Sequence, residues 1–508
     1  MRSKNAIRNL ILLLVYELLV FASGIIFPHF IIVVYNSQIN GLTSTIARLL
    51  SLISLIQSGA VGAAIYQMYE PVAKNDYEKQ SAIMYSSRRF YNRFSLIFLL
   101  IGIGAGVFYS FYLRNETLSF LEIFLAFSIL AVNGANTLLF NSICDIFFSS
   151  HQKRYLLSLA SICDLIVRYG LMCFVLFFKL HFIFIYVCYL LGGLASVIIN
   201  VIFYRKLSKS IINPKPEDTN YKIPNRNYLM LSCIGSEVVT TAPTLIITTF
   251  IDLVQSSVFS IYSMIFMSMK TILNSVQLSF SAIFGNLVKT ADDEKIHSVY
   301  SVIELLTICL GTVCGACVGF LLMPFITLYS AAFKDANYVY PILAVFVLAY
   351  TVLFAFRMSF GYVATVYGLF KDTCTIILIF AGLGIGISIA CTILFGMPYV
   401  MIGLIFNQLG CSIATLVVMK KKIPWFKVTK LLIRTAVMVL ISAIGIILFF
   451  LLKPEISSWW EWLLFAVCAG LSSLVLFLIY CMLFERRCFK MAINYIGNLF
   501  RKKKEITE

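Results

Sequence analysis

Apolar and polar positions fall along this chain in long alternating blocks. About fourteen stretches of roughly 20–30 mostly apolar residues are separated by short polar segments, and a helix needs about 20 such residues to cross a bilayer. The approximate spans are 9–35, 40–70, 91–113, 118–148, 154–179, 181–204, 227–250, 256–289, 298–330, 337–369, 372–396, 398–419, 431–452 and 460–484. Each predicts a transmembrane helix, because a hydrocarbon interior forces backbone groups to be satisfied within the segment. The expected fold class is an all-α polytopic membrane protein of about 14 transmembrane helices.

The positive charges set the orientation. With Met1 in the cytoplasm, roughly 31 of the 40 Lys and Arg residues fall in cytoplasmic segments, and about four (Arg114, Lys179, Lys334, Lys453) fall outside. Both termini are then cytoplasmic, in a cell (inner) membrane. Trp459, Trp460 and Trp462 sit at the outer edge of span 14 and Trp425 in the inner loop before span 13, where amphipathic indoles favour the interface. In the basic tail, Phe489, Ala492, Ile493, Ile496, Leu499 and Phe500 follow helical spacing, which predicts a helix lying on the cytoplasmic surface.

An internal repeat is visible. Pro28 ends the apolar run of span 1, and Pro243 breaks span 7 about 215 residues later. The loop HQKRYLLSL from His151 and the segment GLFKDTCTI from Gly368 are separated by about the same distance, about 217 residues. The expected organisation is a six-helix lobe at 1–204, a cytoplasmic linker loop at 205–226, a second six-helix lobe at 227–419, two additional transmembrane helices at 420–484, and a basic amphipathic tail at 485–508.

Polar side chains inside the spans form stripes. Span 2 carries Ser44, Arg48, Ser51, Ser54 and Ser58; span 4 carries Asn133, Thr137, Asn141 and Asp145; span 7 carries Ser236, Glu237, Thr240 and Thr244; span 8 carries Ser260, Ser263, Lys270, Asn274, Gln277 and Ser281. Hydroxyl stripes by themselves read as hydrogen-bonded glue between helices. Arg48, Lys270 and Arg357 are different, because no acid lies three or four positions away on the same helix. Each needs an anion, water, or a carboxylate from another helix, for which Glu17, Glu237, Asp145 and Glu304 are the candidates. A cavity contact and an interhelical ion pair both satisfy that need. Asp164 and Arg168, four apart, predict a structural pair within one helix.

Several classes are disfavoured. The net charge of +17 lines a membrane face, so anionic lipid headgroups account for it and nucleic acid does not. Cys314 and Cys317 form a CxxC inside an apolar helix with no nearby His, which reads as small-residue packing rather than a metal site. The longest loops are about 20 residues, the four His form no cluster and no GxxxxGK[ST] loop occurs, so no enzyme and no cofactor are expected. Transport would be driven by a Na+ or H+ gradient or by the substrate gradient itself, with Glu17, Asn141, Asp145, Glu237, Asn274 and Gln277 as polar or coupling candidates.

The opening FPHFIIVVYNSQINGLTSTIARLLSLISLIQSGAVGAAIYQMYEP, with its turn at Asn40-Gly41 and the small residues from Gly59 to Ala64 before Lys74, resembles the polysaccharide transporter branch of the multidrug/oligosaccharidyl-lipid/polysaccharide exporter superfamily. The stretch FNSICDIFFSSHQKRY from Phe140 is similar to the same branch, which holds the Wzx-like O-antigen and polysaccharide flippases. The resemblance implies two six-helix lobes around a central cavity, and transfer of polyprenyl-diphosphate-linked oligosaccharide to the outer leaflet. It implies that Arg48 and Lys270, with Arg357 third, contact the diphosphate or an acidic sugar. It also implies a monomer working with glycosyltransferases and a glycan polymerase. An ion-coupled multidrug exporter and a lipid II flippase of the same superfamily are the rival expectations.

Overall fold

A computed structural model describes residues 2–491, apart from 115–116, 210, 214–215, 220, 222–225, 289–291 and 453–455. The expected surface helix of the tail lies mostly outside the described residues. Fourteen α-helices follow one another: α1 (Arg2–Val34), α2 (Ser37–Lys74), α3 (Tyr77–Leu113), α4 (Phe120–Ser150), α5 (Tyr155–Phe177), α6 (Ile183–Ser208), α7 (Arg226–Phe250), α8 (Leu253–Val288), α9 (Asp293–Ser330), α10 (Pro341–Val366), α11 (Phe370–Phe395), α12 (Met401–Lys422), α13 (Val428–Leu452) and α14 (Trp459–Phe484). A 3-10 turn, Met397–Val400, leads into α12. The protein is an all-α, multi-pass membrane protein. Eleven helices, counted over the described residues, are long and apolar enough to span a bilayer.

Helix ends follow local chemistry. Ser119 opens α4 with a capping box, its hydroxyl accepting from Glu122 N while Glu122 reaches back to the Ser119 N–H. Ser458 and Glu461 repeat the device at α14. Asn75 closes α2 in the left-handed conformation, with φ 54°.

The prolines depart from expectation. Pro28 lies inside a continuous α1 that runs on to Val34, and Pro243 lies inside a continuous α7. A membrane helix tolerates proline where neighbouring groups satisfy the freed carbonyl.

The chain divides into two compact units, Met1–Thr248 and Thr249–Glu508. In the first, α3 packs on α4, α4 on α6, α6 on α5, and α2 on both α3 and α4. Every one of these pairings recurs six helices later in the second: α9 on α10, α10 on α12, α12 on α11, and α8 on both α9 and α10. Close approach uses glycine at matching places. A Cβ at Gly102 of α3 would lie 2.6 Å from Ala131 Cβ of α4, and one at Gly311 of α9 would lie 2.5 Å from Ala355 Cβ of α10. Gly106, one turn on, repeats the pattern against Phe127 of α4, while Gly315 lies between Ser442 of α13 and Val352 of α10.

Beyond the shared plan, α1 packs on α5 and α2 in the first unit, while α13 and α14 both pack on α9 in the second. The loop after α6 folds back onto the first unit, where Asn213 N donates to Ser81 Oγ at 2.8 Å and Tyr221 OH to Gln67 Oε1 at 3.4 Å.

Candidate functional site

The stripe residues of the first unit separate into two groups. Asn141 is committed to helix packing: it accepts from Asn200 Nδ2 of α6 at 3.0 Å and donates to Ser196 Oγ at 3.4 Å. Asp145 accepts a 2.5 Å hydrogen bond from Ser149, one turn along α4. Asp164 and Arg168 form the expected pair, with Arg168 Nη2 donating to both carboxylate oxygens and the guanidinium 4.7 Å over the Tyr189 ring. Gly192 of α6 makes room, since a Cβ there would collide with the Asp164 carboxylate and lie 2.8 Å from Arg168 Cβ. Glu17 is exposed on α1. The candidate acids are therefore dispersed over α1, α4 and α5.

Arg48 belongs to the second group. It is half-buried on α2, with Glu237 of α7 within electrostatic range. One turn before it, Thr45 Oγ1 and Thr248 Oγ1 share a 2.7 Å hydrogen bond that ties α2 to α7. Glu237 accepts from Thr240 Oγ1 at 3.0 Å.

In the second unit Lys270, Asn274 and Gln277 lie half-buried along α8. The α8 and α10 helices run in the same direction, since α9 returns between them. A Cβ at Gly361 of α10 would lie 3.9 Å from Gln277 Nε2. One turn back along each helix, Asn274 and Arg357 come level. Arg357 Nη1 donates to Gln408 Oε1 of α12 at 3.4 Å, a neutral partner. The structure thus sets Gln277 of α8 beside Gly361 of α10, and Arg357 of α10 on Gln408 of α12. Gln408 is absent from the sequence stripes because it and the adjacent Asn407 are an isolated pair of amides on an apolar helix, with no helical repeat.

Among the described residues the most enclosed cation lies outside the polar stripes. Arg434 of α13 has no exposed surface. Its Nη1 donates to Glu304 Oε1 at 2.9 Å and Ser301 O at 3.0 Å, its Nη2 to Ser301 Oγ at 2.9 Å, and its Nε to Glu485 Oε1 at 3.1 Å. Two carboxylates and a serine saturate the fork, so the cluster is a clamp between α9, α13 and the end of α14. A solitary Arg in span 13 with Glu485 just beyond span 14 was the available signal. Trp425, in the loop before α13, is buried: its Nε1 donates to Tyr367 OH at 2.7 Å, and Tyr300, Phe284 and Phe426 enclose the indole. Cys317 packs against Gly470 of α14, a packing role for that thiol. A cavity of about 260 Å3 between α9, α13 and α14 is lined by apolar side chains such as Phe320, Ile441 and Phe465, and does not suit a glycan.

No protein-family model matches the chain, and no curated protein is similar to it in sequence. Solved structures do match. The fold is similar to that of the lipid II flippase MurJ in an inward closed conformation, at 14% identity over 92% of this chain and 99% of that one, with a TM-score of 0.67. It is also similar to an inward-facing multidrug resistance MATE family transporter of the MOP superfamily, at 12% identity over 80% and 94% of the two chains and a TM-score of 0.64. An outward-facing MATE family transporter matches at 14% identity over 84% and 95%, with a TM-score of 0.55. The class is that of a multi-pass membrane protein with the fold of MOP superfamily transporters. Its structural neighbours are transporters and flippases, not enzymes.

Proposed function

We propose that the protein is a flippase that moves polyprenyl-diphosphate-linked oligosaccharide, a polysaccharide or O-antigen repeat unit, from the cytoplasmic to the outer leaflet by alternating access. The observation that carries this reading is the matched pair Arg48 and Lys270. Each stands half-buried on the second helix of its repeat, within a stripe of hydroxyls and amides at bilayer depth. A membrane helix keeps such a cation only where something polar meets it. A diphosphate is a suitable counter-group, because charge-assisted hydrogen bonds replace the water it loses on leaving the headgroup layer.

Arg357 supplies a third cation, and its neutral partner Gln408 leaves that charge available to an anion. Asn274 and Gln277 offer amides to glycan hydroxyls, while the polyprenyl tail stays in lipid. Glu237 holds Arg48 in its field before substrate arrives, and the diphosphate takes over that role. No cofactor takes part. A Na+ or H+ gradient, or the substrate gradient, drives the cycle. The protein acts as a monomer in the inner membrane with both termini cytoplasmic, beside glycosyltransferases and a glycan polymerase.

Ion-coupled multidrug export is the second reading, favoured by the fold shared with MATE transporters and by the intramembrane Asp164. Its coupling site would need to release Asp164 from Arg168. Lipid II export is the third, favoured by the match to MurJ over nearly the whole of both chains. In cells that display a polymerised surface glycan, loss of this protein should trap the lipid-linked repeat in the inner leaflet. The combined Arg48→Gln, Lys270→Gln and Arg357→Gln variant should insert normally and fail to restore display. Full restoration by that variant contradicts the assignment of the three cations. Altered drug accumulation with unchanged glycan would establish the export reading, and rescue of lipid II export the third.

A further inference from the structure

The cytoplasmic part of α3 carries positive charge on a face that no helix covers. At 1.5 Å per residue this 37-residue helix is about 55 Å long, well beyond the roughly 30 Å hydrocarbon layer. Its inward face buries Ile83, Met84, Ser87 and Tyr91. The opposite face exposes Arg89 and Arg93, and Arg88 is exposed on its flank. No ion pair among the described residues involves these arginines. Helical geometry at about 100° per residue aligns Arg89 and Arg93 with Leu96, Leu100, Val107 and Phe111 in one stripe about 60° wide. Those four apolar residues are exposed, Leu100 by 62% and Phe111 by 61%. Gly104 lies beside the stripe with nothing within 4 Å of a Cβ built on it, which leaves a shallow notch.

The corresponding stretch of α9 is furnished differently. Past Lys295 it exposes no cation; Ser298 meets Met491, Ser301 meets Cys488, and Glu304 meets Arg434. On α3 the charge is on the helix itself and, among the described residues, in no ion pair. The small-residue motif of α3, Gly102 and Gly106, is already used against α4, so the exposed stripe is bulky and unsuited to close helix docking.

We propose that Arg89 and Arg93, with Arg88 beside them, bind the phosphate of an anionic phospholipid of the cytoplasmic leaflet, and that one of its acyl chains lies along Leu96, Leu100, the Gly104 notch and Phe111. Guanidinium forks match phosphate oxygens, and the boundary of the hydrocarbon is where juxtamembrane cations attract anionic lipid most strongly.

The test is native mass spectrometry of the full chain released from nanodiscs of equal phosphatidylglycerol and phosphatidylcholine with identical acyl chains. The wild-type protein should retain phosphatidylglycerol at least about threefold over phosphatidylcholine. Arg88→Gln, Arg89→Gln and Arg93→Gln together should bring the ratio close to that of the bulk lipid, whereas Arg205→Gln with Lys206→Gln at the end of α6 should leave it enriched. Gly104→Trp should weaken retention without any change of charge. Unchanged enrichment in the triple variant, a bulk ratio in the wild type, or a dimer that the triple variant loses would each overturn the proposal; the last would assign the face to a second copy.

Discussion

The α3 and α9 helices hold the same place in the two units and are almost equally apolar, yet their surroundings differ. In its most apolar stretch α3 is 28% buried, and α9 is 67% buried. On α3 the side facing away from α4 carries Leu96, Leu100, Phe108 and Phe111 outward. On α9, α13 and α14 add cover: Gly311, which meets Ala355 of α10, also lies near Met438, Gly315 lies against Ser442, Leu321 O accepts from Trp462 Nε1 at 3.2 Å, and Arg434 clamps the N-terminal part of the helix. The lesson is physical. In lipid, apolarity does not drive helices together, because acyl chains are as apolar as leucine. Small residues that permit close approach and polar groups that need partners decide which face is covered.

The largest effect should come from breaking the clamp. Arg434→Met leaves Glu304 and Glu485 without their cation and should lower stability by about 3–5 kcal/mol in detergent unfolding. Adding Glu304→Met and Glu485→Met should recover most of the loss; no recovery would mean that the cluster contributes more than charge pairing. Next, Gly315→Leu should destabilise by about 1–3 kcal/mol by pushing α13 off α9, whereas Gly104→Leu on α3 should change stability by less than about 0.5 kcal/mol. Equal effects in calorimetry would erase the distinction between the two helices. Third, Arg168→Gln in the first unit should lower stability by about 1–2 kcal/mol, less than Arg434→Met, because the pair keeps some exposure and is local to one helix. Smallest, Leu100→Ala on the lipid face should stay within about 0.5 kcal/mol of wild type in the same unfolding assay.

Much of this architecture is legible from hydropathy alone. Helices sit where apolar blocks of membrane length occur, and the order of packing repeats as the internal offsets suggest. In α2 and α7 the polar residues themselves keep helical spacing, which makes these helices legible as well. Asp164 and Arg168 are legible because both ends of the pair lie on one helix. Arg434 is not, because its partners come from distant parts of the chain and one cation in an apolar run carries no sign of which helix answers it. Asn141 illustrates the reverse: its place in a stripe suggested a cavity, while Ser196 and Asn200 of α6 engage it as interhelical glue. Pro28 misleads for a local reason, since a helix-breaking residue in water is accommodated within a membrane helix.

The two units differ at the surface but share a cation on the second helix of each repeat, and transport is the property that tests whether that sharing has meaning. The most direct measurement is leaflet transfer in proteoliposomes of a fluorescent polyprenyl-diphosphate oligosaccharide, followed by quenching from outside. The account predicts transfer with the wild-type protein, a loss of at least about tenfold in rate with either Arg48→Gln or Lys270→Gln, corresponding to about 1.4 kcal/mol of barrier, and no transfer with both. Transfer at the wild-type rate in the double variant would contradict it.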